Sequence, residues 1–239
     1  MMEILKKNKS LKSTIKFPCS YIDGNMEQRI YVDLREFENK MEAISELSRN
    51  GFRRSYNHMY IPNCNDCRKC ISSRININRF YYSKSVKRNL KINQDLKIII
   101  NSKNIEKERY ELFQKYCEVR HSHGQMQFMT YEEFNNFFHH NCNSNKIVDL
   151  FNSNSQLVGS ILLDNLNDGY SAVYSFFNPK LKKRGLGKNL ILRSINLLEE
   201  KKMKFLYLGY WIRESKSMNY KSSFNGLELF LNGNWKIFS

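Results

Sequence analysis

Apolar residues recur every three or four positions in several parts of the chain, which is the spacing of one face of an α-helix. Met41, Ile44 and Leu47 follow this spacing. Thr130 precedes another such stretch and has Glu133 three residues later, a combination that forms a capping box at a helix start. The pattern predicts helices over residues 41–50, 105–121 and 189–201, and a further helix that begins at Thr130.

Alternation of apolar and polar residues indicates the candidate strands. Ile71, Ile75 and Ile77 fall on one side of an extended chain, and Arg74 and Asn76 fall on the other. Further strands are predicted over residues 56–62, 146–151, 156–163, 170–177 and 205–210, and the apolar stretch 96–100 fits a buried strand. The segment 84–96 is predicted as a loop that enters a helix.

The order of these elements indicates the fold class. In the second half, two helices, three strands, a glycine-bearing loop, a long helix and a last strand follow one another. The turns between the three strands are short and polar, as in antiparallel hairpins. We therefore predict an α+β fold with a mostly antiparallel sheet. The order is similar to the GNAT-like acyltransferase fold, which coenzyme A-dependent N-acetyltransferases share with tRNA-dependent aminoacyl transferases.

The charge balance indicates an anionic partner. The 239 residues include 39 Lys and Arg against 23 Asp and Glu, which gives a formal net charge of +16. Nucleic acid is the commonest partner of so basic a chain. The sequence is also rich in Asn, Lys and Ile, as AT-rich genomes encode, so base composition can account for part of the lysine excess. Charge alone does not distinguish tRNA, DNA and the ribosome.

The hydropathy of the chain bears on its location. No apolar run approaches the ~18 residues that span a bilayer. The first sixteen residues are rich in lysine and lack the apolar segment of a secretory signal. We therefore expect a soluble, cytoplasmic protein with no membrane partner.

A cysteine motif is the most specific signal in the first half. Cys64, Cys67 and Cys70 are each separated by two residues. Disulfides are rare in the cytosol, whereas two successive C-x2-C steps around a turn can direct three sulfurs at one metal. Cys19 is the natural fourth ligand. Zinc and an iron–sulfur cluster both accept four thiolates, so the metal stays open, and unliganded thiols are the remaining alternative.

Two basic segments are candidates for binding phosphate. In the loop 182–188, glycines precede a predicted helix, where backbone amides are free to bind an anion. Without that context such a loop is more often only a tight turn. The segment 84–91 either holds the acceptor stem of a tRNA or is an ordinary solvated helix face. The candidate tRNA-binding residues are Lys84, Lys87, Arg88, Arg184, Gly185, Gly187 and Lys188.

Several separate motifs occur together in one order. They are Gly51–Ser55, Tyr60–Pro62 with the cysteine motif, Ser171–Pro179, Tyr207–Ile212 and Met218–Lys221. This set resembles the arginyl-tRNA–protein transferase family, and within it the bacterial aspartate/glutamate leucyltransferase branch, over nearly the whole chain. Ser20 stands where the family often has Pro. Lys182 replaces the Gln or Arg that coenzyme A-binding loops favour, which favours a different donor.

The resemblance implies an N-terminal cysteine-cluster domain over residues 1–104 and a GNAT-like aminoacyltransferase domain over 105–239. It implies transfer of an amino acid, Leu in this branch, from aminoacyl-tRNA to the N-terminal Asp or Glu of proteins, which creates an N-degron. No nucleotide cofactor is expected. The alternatives are arginyl transfer to the same acceptors, a coenzyme A-dependent N-acetyltransferase and a non-catalytic tRNA-binding protein.

The chemistry of such a transfer suggests site residues. An ester donor and an amine acceptor need positioning and oxyanion stabilisation more than a strong base. Arg matches an acidic side chain with two parallel hydrogen bonds. The candidates for binding the acceptor are Arg54, Arg74 and Arg120, of which Arg74 is preferred. The candidates for the acyl site are Tyr174, Tyr210, Tyr220 and Lys221. Packing or solvated surface is the alternative for each.

Overall fold

The computed structural model describes residues 11–120, 125–139 and 145–238. The α-helices in these residues are α1 Lys40–Arg49, α2 Lys84–Ile92, α3 Glu106–Arg120, α4 Tyr131–His139, α5 Leu186–Glu200 and α6 Lys216–Asn219. The strands are β1 Lys12–Ser13, β2 Phe17–Pro18, β3 Met26–Glu27, β4 Arg29–Asp33, β5 Arg53–Ser55, β6 His58–Pro62, β7 Ile71–Asn76, β8 Lys97–Ile100, β9 Lys146–Phe151, β10 Leu157–Leu166, β11 Gly169–Phe177, β12 Phe205–Trp211, β13 Leu227–Leu231 and β14 Asn234–Ile237. In this part of the chain, no helix has the length and apolar character needed to cross a membrane.

The chain forms two compact units that interleave along the sequence. The first unit contains the residues up to Tyr81, Asn165–Val173 and the residues from Met203 onward. The second unit contains Tyr82–Asp164 and Tyr174–Lys202. Strands β10 and β11 contribute residues to both units. The predicted domains, residues 1–104 and 105–239, are contiguous segments, whereas these units are not. The predicted division stays a prediction.

The first unit is built on strands. One sheet has the order β1-β4-β6-β5 and is antiparallel throughout. The other strands of the unit follow the order β14-β13-β7-β12-β11, in which β11 and β12 are parallel and the other pairs are antiparallel. Helix α1 begins at Asn39, whose side chain accepts from the amide of Glu42 at 3.1 Å. It ends at Asn50 and Gly51, as predicted; Gly51 has a φ of 86°.

The second unit packs α3, α4 and α5 with strands β8, β9 and β10, in which β9 pairs antiparallel with both neighbours. Its core is aromatic, with ring centroids 4.7 to 6.0 Å apart among Phe113, Phe134, Phe138 and Phe176. Such offset and edge-to-face ring pairs add to the stability gained from burial.

The predicted capping box is present at the start of α4. The hydroxyl of Thr130 accepts from the amide of Glu133 at 3.2 Å, and the Glu133 carboxylate accepts from the amide of Thr130 at 2.8 Å. The predictions of α1, α3, α5, β9, β10, β11 and β12 are also confirmed, with small shifts at their ends. Residue 121, the predicted end of α3, lies outside the described residues. The mixed, mostly antiparallel fold follows the predicted class.

Three elements differ from prediction. The strand that begins at Ile71 is predicted to include Ile77, but it ends at Asn76, because the chain turns into a 3-10 helix at Ile77–Arg79. Residues 97–100 form β8, but the strand is not buried: Ile98 and Ile100 are 37% and 41% exposed. The segment from Lys84 is helical at once instead of starting as a loop. The C-terminal strands β13 and β14 have no counterpart in the prediction.

Candidate functional site

Three cations lie along one face of α2. Lys84, Lys87 and Arg88 are all exposed, and their spacing of three and four residues puts them on the same side of the helix. The helix is capped by Ser83, whose side chain accepts from the amide of Val86 at 3.4 Å. α2 therefore presents a row of positive charge, a surface that suits a phosphate backbone.

Amide side chains fasten the loop before α5 to α2. The Nδ2 of Asn89 donates to the carbonyl oxygens of Arg184 and Gly185, both at 3.2 Å. The side chain of Asn93 donates to the Arg184 carbonyl at 2.8 Å and accepts from the Arg184 Nε at 3.0 Å. Gly185 has a φ of 60°, and a Cβ there would lie 2.9 Å from Asn89 Nδ2. The left-handed backbone at this position favours glycine, and a side chain there would displace the Asn89 amide.

Lys188 extends this contact at the first turn of α5. Its Nζ donates to the hydroxyl of Ser85 at 3.0 Å. Burial, together with the nearby charge of Arg88, lowers the pKa of Lys188. Arg184 forms an ion pair with Asp95. Helix α2 and the segment 182–188 are therefore neighbours in the structure, although they are distant in the sequence. The role of these residues in binding tRNA stays a prediction.

The four predicted metal ligands lie in the first unit as free thiols. Burial raises the pKa of the Cys70 thiol to about 12, and Glu27 and the thiols of Cys19, Cys67 and Cys64 add to the effect. Each of these groups is therefore within electrostatic range of Cys70. Among the described residues, however, no set of three or more Cys, His, Asp or Glu side chains has the arrangement of a metal site.

A buried carboxylate oxygen lies in the same region. Glu27 is 2% exposed, and its Oε1 accepts from the Nε of Arg29 at 2.5 Å. Its Oε2 has no hydrogen-bond partner in the part of the chain that the structure describes. A buried polar atom without a partner is costly, and a cation would satisfy it. The chemistry of the donors therefore suits a metal, although their arrangement is not that of a formed site.

Arg53 and a group of tyrosines form a second feature of the first unit. Arg53 lies opposite Tyr60 in the pairing of β5 and β6, so their side chains share one face of the sheet. The Nη2 of Arg53 donates to the carbonyl of Val173 at 2.6 Å. Burial opposes the charge of Arg53, but its pKa is nevertheless raised by electrostatic interaction with nearby tyrosines. These tyrosines are Tyr60, Tyr21, Tyr210 and Tyr220.

Lys221 and Tyr210 lie beside Arg53. Tyr210 is 1% exposed, and its hydroxyl donates to the carbonyl of Tyr60 at 2.9 Å. Burial raises the pKa of Tyr210 well above its usual value, so this side chain is a donor and not a base at neutral pH. The Nζ of Lys221, itself 2% exposed, donates to the carbonyl of Tyr210 and to the Met218 Sδ. Burial and the charge of Arg53 lower the pKa of Lys221 well below the usual value.

The candidate residues for the acyl site are divided between the units. Tyr220 is 45% exposed and its ring lies 5.6 Å from the Lys221 Nζ, so Tyr210, Tyr220 and Lys221 form one group in the first unit. Tyr174 belongs to the second unit, where its ring contacts Phe113 and its hydroxyl lies 3.9 Å from the Cys117 Sγ. Their part in the acyl site stays a prediction.

The three arginines predicted to bind the acceptor lie in three different environments, and their role in acceptor binding stays a prediction. Arg74 is buried in an ion pair with Glu228 at 2.7 Å, so its guanidinium already has a carboxylate. Arg54 is 3% exposed and donates to the carbonyl of Tyr56 at 3.0 Å. Arg120 is exposed at the end of α3. Arg74 is preferred on the sequence because it follows the cysteine motif on a predicted strand. Its partner Glu228 lies on β13, a strand that is not predicted from the sequence.

Arg53 is not among the candidate residues predicted from the sequence. It stands in the quoted motif Gly51–Ser55, directly before the candidate Arg54. Neighbouring residues of a strand face opposite sides, so only one of the two arginines can lie with Tyr60. The strand pairing settles which of the two it is, and a three-residue strand is too short for its alternation to be visible in the sequence.

Two family models match most of the chain. The model for the N terminus of arginine-tRNA-protein transferase matches residues 17–88, and the model for its C terminus matches residues 108–231. An aspartate/glutamate leucyltransferase from Saccharophagus degradans is 36% identical over 228 residues, which covers 95% of this chain and 96% of that protein. A protein of the same name from Ruegeria pomeroyi is 38% identical, and the match covers 92% of this chain and 80% of that protein.

Solved structures give weaker similarity. FemX has a TM-score of 0.49 at 8% identity, covering 73% of this chain and 61% of that chain. An acetyltransferase of the GNAT family from Staphylococcus aureus has a TM-score of 0.41 at 18% identity, covering 54% of this chain and 81% of that chain. Similarity at this level carries no argument about activity.

Proposed function

Because this chain belongs to the arginine-tRNA-protein transferase family and is therefore an aminoacyltransferase, we propose that it transfers leucine from leucyl-tRNA to proteins that begin with Asp or Glu. The observation that carries the proposal is the similarity to aspartate/glutamate leucyltransferases over 95% of the chain. The new N-terminal Leu would act as an N-degron and direct the acceptor to degradation. We place this activity in the cytoplasm, where charged tRNA is available.

The reaction is an exchange of an ester for an amide. The neutral amine of the acceptor attacks the aminoacyl carbonyl carbon, the new C–N bond forms, and the C–O bond to the tRNA ribose breaks. An α-amino group has a pKa of about 7.7–8.0, so a substantial fraction is already neutral near pH 7. The adjacent ribose hydroxyl can pass its proton to the leaving oxygen and take up the proton that the attacking amine loses. Catalysis then depends mainly on holding the two reactants in position, and no side-chain nucleophile is required.

The basic surface of the second unit supports a tRNA donor. The row formed by Lys84, Lys87 and Arg88 lies next to the loop that carries Gly185, because Asn89 and Asn93 hold that loop against α2. A row of cations suits the backbone of an acceptor stem, and the backbone amides at the start of α5 suit a phosphate.

A metal at the four cysteines is part of the proposal. Cys19, Cys64, Cys67 and Cys70 supply a thiolate set that either zinc or an iron–sulfur cluster accepts, and the buried Oε2 of Glu27 is a further donor close by. Such a site would stabilise the first unit, because metal binding at a structural site contributes directly to folding. No nucleotide cofactor is part of the proposed reaction.

One experiment tests the reaction and identifies the donor. The purified protein is incubated with radiolabelled leucyl-tRNA or arginyl-tRNA and with peptides that begin with Asp, Glu or Ala. We expect label from leucyl-tRNA on the Asp and Glu peptides and none on the Ala peptide. Label from arginyl-tRNA alone would replace leucine by arginine as the donor. Absence of label from either tRNA, in protein with its full metal content, would overturn the proposed function.

A coenzyme A-dependent N-acetyltransferase is the second candidate. The order of helices and strands in the second half of the chain, which is similar to the GNAT-like acyltransferase fold, favours it. Acetyl-coenzyme A replaces charged tRNA in a parallel incubation with the same peptides. Acetylation of the peptides would support this alternative, whereas we expect none.

A further inference from the structure

Arg53 is a cation that lacks an acidic partner. Within the described residues it forms no ion pair with a carboxylate, and its guanidinium has a single hydrogen bond, to the Val173 carbonyl at 2.6 Å. Burial and, to a smaller extent, the charge of Glu27 raise the pKa of Tyr21. The Oε1 of Glu27, however, already forms an ion pair with the Nε of Arg29 at 2.5 Å. Most of the N–H donors of Arg53 thus remain available for a ligand.

The fold makes room for this guanidinium. Gly209 lies at a bulge in β12 where the register to β7 shifts. It has a φ of 71°, and a Cβ there would lie only 1.6 Å from the Arg53 Nη1. Any other residue at Gly209 would therefore occupy the space of the guanidinium. Ser73 fixes the bulge, since its hydroxyl donates to the Gly209 carbonyl at 2.8 Å.

A second basic group, the amine of Lys221, lies next to Arg53. Lys221 is 2% exposed, and its hydrogen bonds are to a carbonyl oxygen and a thioether, neither of which carries a charge. Burial and the adjacent charge of Arg53 lower the pKa of Lys221, so this amine holds its proton more readily when an anion lies nearby. An anion that contacts Arg53 would offset the repulsion between the two basic groups, so the group is suited to bind a small anionic ligand.

We propose that Arg53, together with Lys221, binds the side-chain carboxylate of the acceptor's N-terminal Asp or Glu. This inference rests on the proposed function and names the residues that give it acceptor selectivity. Arg offers a planar pair of N–H groups that matches a carboxylate. Tyr60 and Tyr210 supply the surrounding rings, which reduce the competition from water. Arg53 is partly exposed, so a peptide end can reach it.

A tRNA phosphate is a different anion that could satisfy the same charges. The geometry favours the carboxylate, because the guanidinium lies in the space that Gly209 leaves at a sheet bulge, whereas the cations on α2 form an exposed row. The two ligands have different kinetic consequences: loss of the carboxylate contact raises the KM for the acceptor peptide, whereas loss of a phosphate contact raises the KM for the aminoacyl-tRNA.

The test uses the full chain with Arg53→Gln and Arg53→Lys. We expect Arg53→Gln to raise the KM for Asp and Glu peptides about tenfold to a hundredfold, the range for losing a hydrogen-bonded charge pair, with the KM for aminoacyl-tRNA unchanged. Arg53→Lys should recover part of the loss. Arg213→Gln is the matched control, since Arg213 is an exposed arginine of the same unit, and it should match the wild type.

A binding measurement separates this role from a purely structural one. Titration calorimetry without tRNA compares a peptide that begins with Asp with its Asn counterpart. We expect the wild type to prefer the Asp peptide and Arg53→Gln to bind both equally weakly, with an unchanged melting temperature. An unaltered preference in Arg53→Gln, or a rise confined to the KM for aminoacyl-tRNA, would overturn the inference. A wild-type protein that is inactive with every acceptor would instead overturn the proposed function.

Discussion

The guanidinium of Arg74 donates from its Nε to the Glu228 Oε2 at 2.7 Å, across the directly paired residues of β7 and β13. Both side chains are buried, and the cation also lies 3.5 Å from the ring centroid of Phe205 and 4.3 Å from that of Trp235. Asn76 donates to the second oxygen of Glu228 at 2.8 Å. The arginine that the sequence favoured as the acceptor contact is thus enclosed in a structural ion pair.

The first prediction concerns this pair. Glu228→Ala leaves the Arg74 cation buried without its partner, so it should lower the free energy of unfolding by about 3 kcal/mol, as measured by chemical denaturation. The double variant Arg74→Met with Glu228→Met removes both charges and should cost much less. If Arg74 binds the acceptor, the double variant would lose Asp selectivity; we expect that selectivity to be retained.

The second prediction concerns the basic row on α2. Arg88→Ala removes one cation from the surface proposed to follow the tRNA backbone. The slope of log affinity for tRNA against log salt concentration should become shallower by about 1. Lys236→Ala removes an exposed cation of β14 and should leave the slope unchanged. An identical slope for wild type and Arg88→Ala would remove α2 from the interface.

The third prediction concerns the first turn of α5. A Cβ at Gly187 would lie 2.8 Å from the ring of Phe177, so Gly187→Ala forces the ring or the helix start to shift. Overpacking of this kind costs about 1–3 kcal/mol, which a denaturation curve measures. Gly159→Ala is the control, because its Cβ would make ordinary contacts at 3.5 Å. Equal stability of the two variants would mean that the first turn of α5 accommodates the added methyl group without loss of stability.

The fourth prediction concerns the metal. Cys67→Ser should release the ion or cluster, since a hydroxyl is a far weaker ligand than a thiolate, and elemental analysis with an absorption spectrum of anaerobically purified protein records the loss. Cys117→Ser changes a thiol of the second unit and should retain the metal. Full metal content in Cys67→Ser would refute the four-cysteine ligand set.

Local sequence patterns predict much of the fold. The spacing of Met41, Ile44 and Leu47 predicts α1, and the pairing of Thr130 with Glu133 predicts the start of α4, because both depend only on residues within two helical turns. The net charge of +16 likewise follows from the sequence and indicates an anionic partner. Periodicity, capping and charge are properties of neighbouring residues or of composition, and no tertiary structure is needed to read them.

Tertiary structure decided which residues meet. Arg74 and Glu228 are 154 positions apart, and Asn89 and Arg184 are 95 apart. Strand register and helix packing determine such contacts, and neither leaves a local pattern. The same register puts Arg53 and not Arg54 beside Tyr60. Strand alternation requires that one of two adjacent arginines face each side, but only the folded sheet determines which side has the tyrosines.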